Sequence, residues 1–220
     1  MKDYQQSFLQ VSLDNRILEF RENGFVLKSK RISPYFFNAG LFNSARLLSS
    51  LSNAYAKALL DPDNRFDYDV LFGPAYKGIP LAVATCQALE GSHPTVEYSF
   101  NRKEVKDHGE GGSIVGSSLR GKKVVIIDDV ITSGKAIREA VEIIRLEGGI
   151  LTGILVAVDR QERTEGSSTS AIESLKAQLN INVRAIITLQ DIIEFTKTSL
   201  DPKTAERLEL YRREYGVKCE

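Results

Sequence analysis

The sequence predicts an α/β fold, in which a mostly parallel, twisted sheet is flanked by helices and carries a small N-terminal hood. Five short apolar runs support this prediction; they begin at residues 69, 95, 122, 153 and 183. Near-continuous apolar runs are typical of strands that are buried on both faces of a parallel sheet. Helical patterns or glycine-rich loops separate the runs, as expected when helices cover both faces.

The first part of the chain is predicted to be the hood. Apolar residues recur at roughly helical spacing over residues 2–20, with an interruption near Asp14, and predict a helical lid. A short strand over residues 25–29 and a proline-containing turn over residues 31–38 follow. A long helix over residues 41–60 then leads into the sheet.

The chain is predicted to form one domain. Its 220 residues suit a single α/β domain with a terminal extension. We find no repeat, low-complexity tract or linker long enough to divide it. We expect three parts within this domain: the hood at residues 1–40, the α/β core at residues 41–200 and a C-terminal helix at residues 201–220.

Composition and charge exclude several classes of protein. The 29 basic residues balance the 29 acidic ones, so no overall field attracts nucleic acid or an anionic membrane. Cys86 and Cys219 lack the spacing of a disulfide framework or a metal site and indicate reduced thiols. No apolar stretch approaches the ~20 residues of a membrane span, and the N-terminus lacks a signal-peptide core. We therefore expect a cytoplasmic protein.

The strongest local pattern is a strand, turn and helix built around an acid pair. Asp128 and Asp129 follow four apolar residues, where the strand ends. In parallel sheets, ligands bind beyond these carboxyl ends. Thr132 and Ser133 can cap the helix, and Gly134 allows the backbone to approach a ligand closely. Several backbone N–H groups and the positive helix end could then surround one phosphate.

The acid pair and the turn predict contacts with different parts of a ligand. Two adjacent carboxylates repel each other by about 1 kcal/mol in solvent unless a cation or a hydrogen-bond donor lies opposite. Ribose hydroxyls and a hydrated Mg²⁺ are suitable partners. The alternative is an ordinary capped turn between strand and helix, in which the acids are incidental.

A second phosphate-binding pattern can be dismissed. Residues 116–122 have the spacing of the glycine-rich loop of nucleotide triphosphatases. Lys123 replaces the serine or threonine that this loop requires, and the segment leads into a strand instead of a helix. A nucleotide triphosphatase is therefore disfavoured.

A basic segment before this pattern predicts a mobile flap. Arg102, Lys103, Lys106 and His108 precede three glycines within residues 109–112. Such a lid can close over a multiply charged pyrophosphate and stabilise the charge that develops as it leaves. The alternative is a solvated hairpin whose acidic residues balance the basic ones.

The acid pair and the turn carry a family resemblance. The segment IIDDVITSGKA, residues 126–136, resembles the signature with which type I phosphoribosyltransferases bind phosphoribosyl pyrophosphate (PRPP). Lys135 stands where many members have threonine. Four further segments resemble the orotate phosphoribosyltransferase family; they are residues 25–40, 72–80, 100–112 and 154–163.

The resemblance implies an activity and a set of site residues. Orotate would receive the 5-phosphoribosyl group of PRPP in a Mg²⁺-dependent homodimer whose basic loop reaches the neighbouring site. PRPP would contact Lys28, Tyr76, Lys77, Arg102, Lys103, Lys106, His108, Asp128, Asp129, Val130, Ile131, Thr132, Ser133, Gly134, Lys135 and Ala136. Orotate would contact Lys28, Phe36, Phe37, Thr132 and Arg160. The catalytic residues would be Arg102, Lys103, Lys106, His108, Asp128 and Asp129, with Mg²⁺ held near the two aspartates mainly by PRPP and water.

Two other functions remain as alternatives. One is a purine phosphoribosyltransferase. This chain differs from that class at residues 34–38, at residues 100–112 and at Arg160. The other is a PRPP-sensing regulator that binds nucleic acid and has lost catalysis; the neutral net charge disfavours it. Residues 164–182 and the C-terminal helix show no recognisable chemistry and are interpreted as scaffold.

Overall fold

The computed structural model describes residues 1–106, 112–132 and 134–217, without the side chains of Asn64, Val105 and Lys106. The helices are α1 Asp3–Asp14, α2 Ala45–Leu59, α3 Gly78–Ala88, α4 Lys135–Leu146, α5 Ala171–Leu179, α6 Leu189–Ser199 and α7 Pro202–Tyr215. The strands are β1 Leu18–Val26, β2 Ile32–Phe37, β3 Val70–Gly73, β4 Glu97–Lys106, β5 Gly112–Gly116, β6 Lys123–Val130, β7 Ile150–Asp159 and β8 Asn182–Thr188. None of these helices, within the ranges described, is long and apolar enough to cross a membrane.

The main sheet confirms the predicted fold class. It has six strands in the order β5, β4, β3, β6, β7, β8. The five predicted strands are parallel to one another. β5 was not predicted; it lies at the sheet edge and runs antiparallel to β4. The parallel register brings the carboxyl ends of β3, β6 and β7 to one edge of the sheet.

Both faces of the sheet are covered, as the apolar runs predict. Val124, Val125, Ile126 and Ile127 of β6 are fully buried and alternate between two clusters of apolar side chains. One cluster includes residues of α2, α3, α6 and the hood, and the other includes residues of α4 and α5. β6 is therefore a central, completely buried strand.

The hood differs in part from its prediction. The expected helix is present as α1 but ends at Asp14, and residues 18–20 belong to β1. The residues predicted as a turn form β2, which pairs with β1 in an antiparallel ribbon. Pro34 is tolerated there because a two-stranded ribbon consists of edge strands, which need fewer backbone donors. The hood thus combines one helix with a small sheet.

The helix after the hood starts later than predicted. Residues 39–41 form a short 3₁₀ turn. α2 begins at Ala45 because the hydroxyl of Ser44 accepts a hydrogen bond from the backbone N–H of Leu47 and caps the first turn.

The predicted C-terminal helix is present as α7, and it packs against the hood. The ring of Tyr211 meets that of Tyr35 edge-on, with centroids 6.3 Å apart. α7 is also joined to the loop after β7, because Gly216 forms a backbone bridge with Glu162. The chain end therefore joins two parts of the fold that are distant in sequence.

Candidate active site

The acid pair lies at the carboxyl end of β6. Asp128 and Asp129 are each only 9% exposed. Each accepts a backbone hydrogen bond, from the N–H of Asp129 at 2.9 Å and from the N–H of Val130 at 2.8 Å, respectively. The ammonium of Lys77 lies 2.8 Å from the second oxygen of Asp129. A lysine from the loop after β3 therefore supplies the cation that the pair requires.

The two aspartates have different surroundings. Burial, followed by the adjacent Asp129 carboxylate, raises the pKa of Asp128 to about 7. Tyr55, completely buried on α2, donates a hydrogen bond of 2.7 Å to the backbone carbonyl of Asp128. Asp128 is thus fixed in position and can change its protonation near neutral pH.

The loop that carries Lys77 is fixed by two glycines. A Cβ atom on Gly73 would lie 2.2 Å from the carbonyl oxygen of Gly78, so the end of β3 touches the start of α3. The backbone N–H of Ala75 donates to the side-chain oxygen of Asn101 on β4 at 2.9 Å. The chain therefore turns tightly from β3 into α3, and Tyr76 on this loop is largely exposed.

The turn after β6 is shaped by Gly134. Gly134 has φ of 71°, in the left-handed region that favours glycine, and it is the N-cap of α4. The prediction that Thr132 caps this helix is wrong, because the N-cap is Gly134, two residues later, and Thr132 is exposed. Ser133 lies outside the described residues. Among the residues that the structure describes, no side chain caps the first turn of α4, which suits an anion-binding helix end.

The remaining residues of this turn differ in exposure. Val130 is half-buried and Ile131 is buried, whereas Lys135 and Ala136 are exposed. The ammonium of Lys135 lies 3.9 Å from the carboxylate of Glu139 on the next turn of α4. The turn therefore has a buried side at Ile131 and an exposed side at Lys135 and Ala136.

The basic segment begins as a hairpin. Asn101 pairs with Ile114, and Lys106 with Gly112, so β4 and β5 continue towards the flap residues. Arg102 is half-buried and donates to the carbonyl of Gly112 at 3.4 Å, and Lys103 is exposed. The base of this segment is therefore an antiparallel hairpin. The side chain of Lys106 and all of His108 lie outside the described residues.

The hood supplies one exposed ring, not two. Phe36 is 40% exposed, whereas Phe37 is 8% exposed and packs against the rings of Phe8 and Phe42. Successive side chains of a strand point to opposite faces, so Phe36 and Phe37 cannot flank one ligand together. We therefore correct the predicted pair to Phe36 alone. Lys28 is exposed in the turn between β1 and β2.

Arg160 follows β7 and is largely enclosed by protein. Its side chain is 13% exposed, and its Nη2 lies 2.6 Å from the carboxylate of Glu162 and 3.0 Å from the hydroxyl of Ser33. The guanidinium carbon lies 4.4 Å from the centroid of the Tyr35 ring. Burial disfavours its charge, but Tyr35 and Glu162 outweigh this and raise the pKa of Arg160. Arg160 is therefore a fixed cation.

Two neighbours of Arg160 were missed in the sequence. Glu162 had a weak local signal, because it lies two residues after Arg160 in a charged turn. Tyr211 had no local signal in the sequence. It lies 49 residues from Glu162, to which it donates a hydrogen bond. Only the packing of α7 on the hood brings them together.

The donor set fits a metal held mainly by other molecules. The described residues contain no group of three or more histidine, cysteine or acidic side chains that could hold a metal ion. The acid pair offers two carboxylates, one of which already contacts Lys77. Mg²⁺ commonly binds one or two carboxylates together with water and substrate oxygens, so the pair suits that mode.

Known proteins resemble the chain along nearly its full length. The phosphoribosyl transferase domain family matches residues 43–190. Orotate phosphoribosyltransferase of Aliivibrio fischeri (strain MJ11) is 51% identical over 221 residues, covering 99% of this chain and 100% of that protein. The crystal structure of orotate phosphoribosyltransferase from Francisella tularensis has 39% identity and a TM-score of 0.85, covering 95% of this chain and 98% of the other.

A more distant structure supports the fold alone. Orotate phosphoribosyltransferase of Mycobacterium tuberculosis H37Rv, in complex with PRPP, is 22% identical, with a TM-score of 0.62. The match covers 84% of this chain and 98% of that chain. The predicted type I phosphoribosyltransferase fold is confirmed by these structural matches together.

We expect Asp128→Asn to stabilise the folded chain more at pH 8 than at pH 5. The native pKa of Asp128, about 7, exceeds its ordinary value of 3.8, so the native state keeps a proton that the unfolded state loses between these values. Native stability therefore falls as pH rises through this range, and the cost is complete above pH 7. Asparagine should remove on the order of 2–4 kcal/mol of this cost.

Urea unfolding at a series of pH values measures this effect. Asp67→Asn, which changes an exposed aspartate at the opposite end of the sheet, is the matched control. A stability difference between Asp128→Asn and wild type that is the same at pH 5 and pH 8 would contradict the prediction.

Proposed function

The chain belongs to the phosphoribosyltransferase family, and we propose that it transfers the 5-phosphoribosyl group of PRPP to orotate. The products are orotidine 5′-monophosphate and pyrophosphate, in pyrimidine biosynthesis. The observation that carries this proposal is the 51% identity to an orotate phosphoribosyltransferase over 99% of this chain and 100% of that protein. The reaction class is pentosyl transfer.

The turn after β6 is proposed to hold the 5-phosphate. We expect the backbone of residues 130–136 to contact it, because this segment leads into the start of α4, where the positive end of the helix and its first N–H groups favour an anion. Gly134 lets this backbone fold closely around a small ligand, because no Cβ atom intervenes. Lys135, at the exposed side, adds a positive charge beside the phosphate.

Asp128 and Asp129 are proposed to orient the ribose. Their carboxylates can accept hydrogen bonds from the two ribose hydroxyls, which holds the anomeric carbon in one position. When bound to PRPP, Mg²⁺ neutralises charge on its pyrophosphate oxygens. Lys77 contacts Asp129 at 2.8 Å and is suitably placed to exchange this partner for a pyrophosphate oxygen. Tyr76, exposed next to it, lies on the same loop.

Orotate is proposed to bind between the hood and the loop after β7. Arg160 is a fixed cation with planar N–H donors, which suits it to the orotate carboxylate. Thr132, Lys28 and the exposed ring of Phe36 are the further contacts. A ring nitrogen of orotate then attacks the anomeric carbon, and pyrophosphate leaves with inversion.

The flap is proposed to act on the leaving pyrophosphate. Arg102, Lys103, Lys106 and His108 can stabilise the charge that appears on pyrophosphate as its bond to ribose breaks, or protonate it. We further propose that the protein is a homodimer in which this flap reaches the neighbouring site. Each complete site would then draw residues from two subunits.

Purified protein should convert orotate only when both PRPP and magnesium are present. The loss of orotate absorbance measures the reaction, and chelation with EDTA should abolish it. Adenine, hypoxanthine and uracil in place of orotate are the controls. Turnover of a purine instead would favour a purine phosphoribosyltransferase, and PRPP binding without turnover of any base would favour a non-catalytic regulator.

Lys103→Ala should lower kcat at least about 100-fold and change the KM for PRPP far less. The reason is that Lys103 is expected to act mainly on charge that develops in the transition state. Steady-state kinetics measures both constants. Lys123→Ala, at the opposite end of β6, is the matched control because Lys123 pairs with the exposed Asp67. Wild-type kcat in Lys103→Ala would reject this role.

A shared site predicts recovery of activity in mixed dimers. Lys103→Ala and Asp129→Asn should each be nearly inactive alone. After subunit exchange, a dimer with one of each contains one site in which both residues are intact. Activity should then rise towards a quarter of the wild-type value, since half the dimers are mixed and each has one working site. The absence of any recovery after verified exchange would contradict the shared site.

A further inference from the structure

Arg160 is held by a group of side chains that extends to the C-terminal helix. We propose that Glu162 and Tyr211 are positioning residues, which hold Arg160 in the orientation that receives the carboxylate of the acceptor base. This inference rests on the proposed function, because it assigns the acceptor carboxylate to Arg160. It gives α7 a role in substrate recognition, whereas the sequence suggested scaffold alone.

One oxygen of Glu162 accepts two hydrogen bonds and forms a close ion-pair contact. Its Oε1 lies 2.8 Å from Nε of Arg160 and 2.6 Å from Nη2. The hydroxyl of Tyr211 donates to the same Oε1 at 2.9 Å. The side chains of Arg160 and Glu162 are each 13% exposed, so water competes weakly for these bonds. Tyr211 therefore fixes the oxygen on which one edge of the guanidinium rests.

Two hood residues fix the plane of the same guanidinium. Ser33 accepts from Nη2 of Arg160 at 3.0 Å and is itself held by donating to the carbonyl of Tyr35 at 2.7 Å. The Tyr35 ring lies beneath the guanidinium carbon at 4.4 Å. The hydrogen bonds of Nε and Nη2 thus fix the guanidinium, and we place the acceptor carboxylate at its remaining nitrogen, Nη1.

Arg31 and Arg160 share one carboxylate. Arg31 approaches the other carboxylate oxygen of Glu162 at 3.4 Å, so a single carboxylate lies between two guanidinium groups. Asp159, the residue before Arg160, is a further acid beside this cluster, and burial raises its pKa. The two guanidinium groups suit an acceptor base that carries a carboxylate.

The backbone ties this cluster to the end of the chain. The N–H of Val217 donates to the carbonyl of Gln161 at 2.9 Å, and the N–H of Arg163 donates to the carbonyl of Tyr215 at 2.9 Å. The loop that carries Arg160 and Glu162 is thereby paired with the residues that follow α7. Tyr211 reaches Glu162 from a helix that is fixed to the same loop.

Tyr211→Phe tests the proposal because it removes one hydroxyl and keeps the ring. We expect the KM for orotate to rise about fivefold, which is the effect of losing one hydrogen bond, while kcat and the KM for PRPP change less than twofold. Tyr215→Phe is the matched control, because Tyr215 lies on the same helix, with its ring centroid 5.0 Å from that of Tyr211. It should leave the KM for orotate unchanged.

A second variant, Arg160→Lys, distinguishes a positioning role of Tyr211 from a general effect on the structure. Arg160→Lys keeps the charge but loses the planar fork. If Tyr211 acts through Arg160, adding Tyr211→Phe to this variant should raise the KM for orotate by less than twofold. A full fivefold effect in this background, or an equal rise in the KM for PRPP, would overturn the positioning role.

The outcome also distinguishes this inference from the proposed function. Wild-type protein that does not convert orotate would overturn both. Normal conversion by the wild type, with an unchanged KM for orotate in Tyr211→Phe, would overturn only the role assigned to Tyr211 and Glu162.

Discussion

The burial of β6 on both faces is the constraint on which the rest of the structure depends. Val124 to Ile127 are fully buried, and each contacts one of two apolar clusters. A strand fixed in this way ends at a fixed point, and Asp128 and Asp129 occupy that point. Their mutual repulsion is then offset by Lys77 and by backbone N–H groups, not by movement away from each other. The buried strand therefore sets the position of the acid pair, and burial raises the pKa of Asp128.

Much of the core could be predicted because its signals are local. β6, the turn at Gly134 and α4 follow from an apolar run, a glycine and a helical repeat that are contiguous in the sequence. The hood was predicted less well. Its apolar residues after Asp14 fit helical spacing and strand alternation about equally, and only the pairing of β1 with β2 decides between them. The same pairing directs the side chain of Phe37 towards the core, and the spacing of apolar residues alone could not indicate this.

The site was predictable only where its chemistry lies on one segment. The acid pair and its turn form one such segment, whereas Arg160 was identified through a family resemblance. Glu162 and Tyr211 depend on the packing of α7 against the hood, which joins residues 49 positions apart. No local pattern encodes such a contact, because it arises from tertiary structure. Polar contacts that join distant elements are therefore the part of a site that sequence analysis is most prone to miss.

The contact between Gly73 and Gly78 has a consequence for redesign of this enzyme. A side chain at Gly73 would overlap the backbone at 2.2 Å, so this position offers no useful diversity in a mutagenesis library. Tyr76 lies between these two glycines in the sequence and is 72% exposed, so it can vary without disturbing the packing. Randomising Tyr76 while keeping both glycines would concentrate a directed-evolution search on variants that still fold.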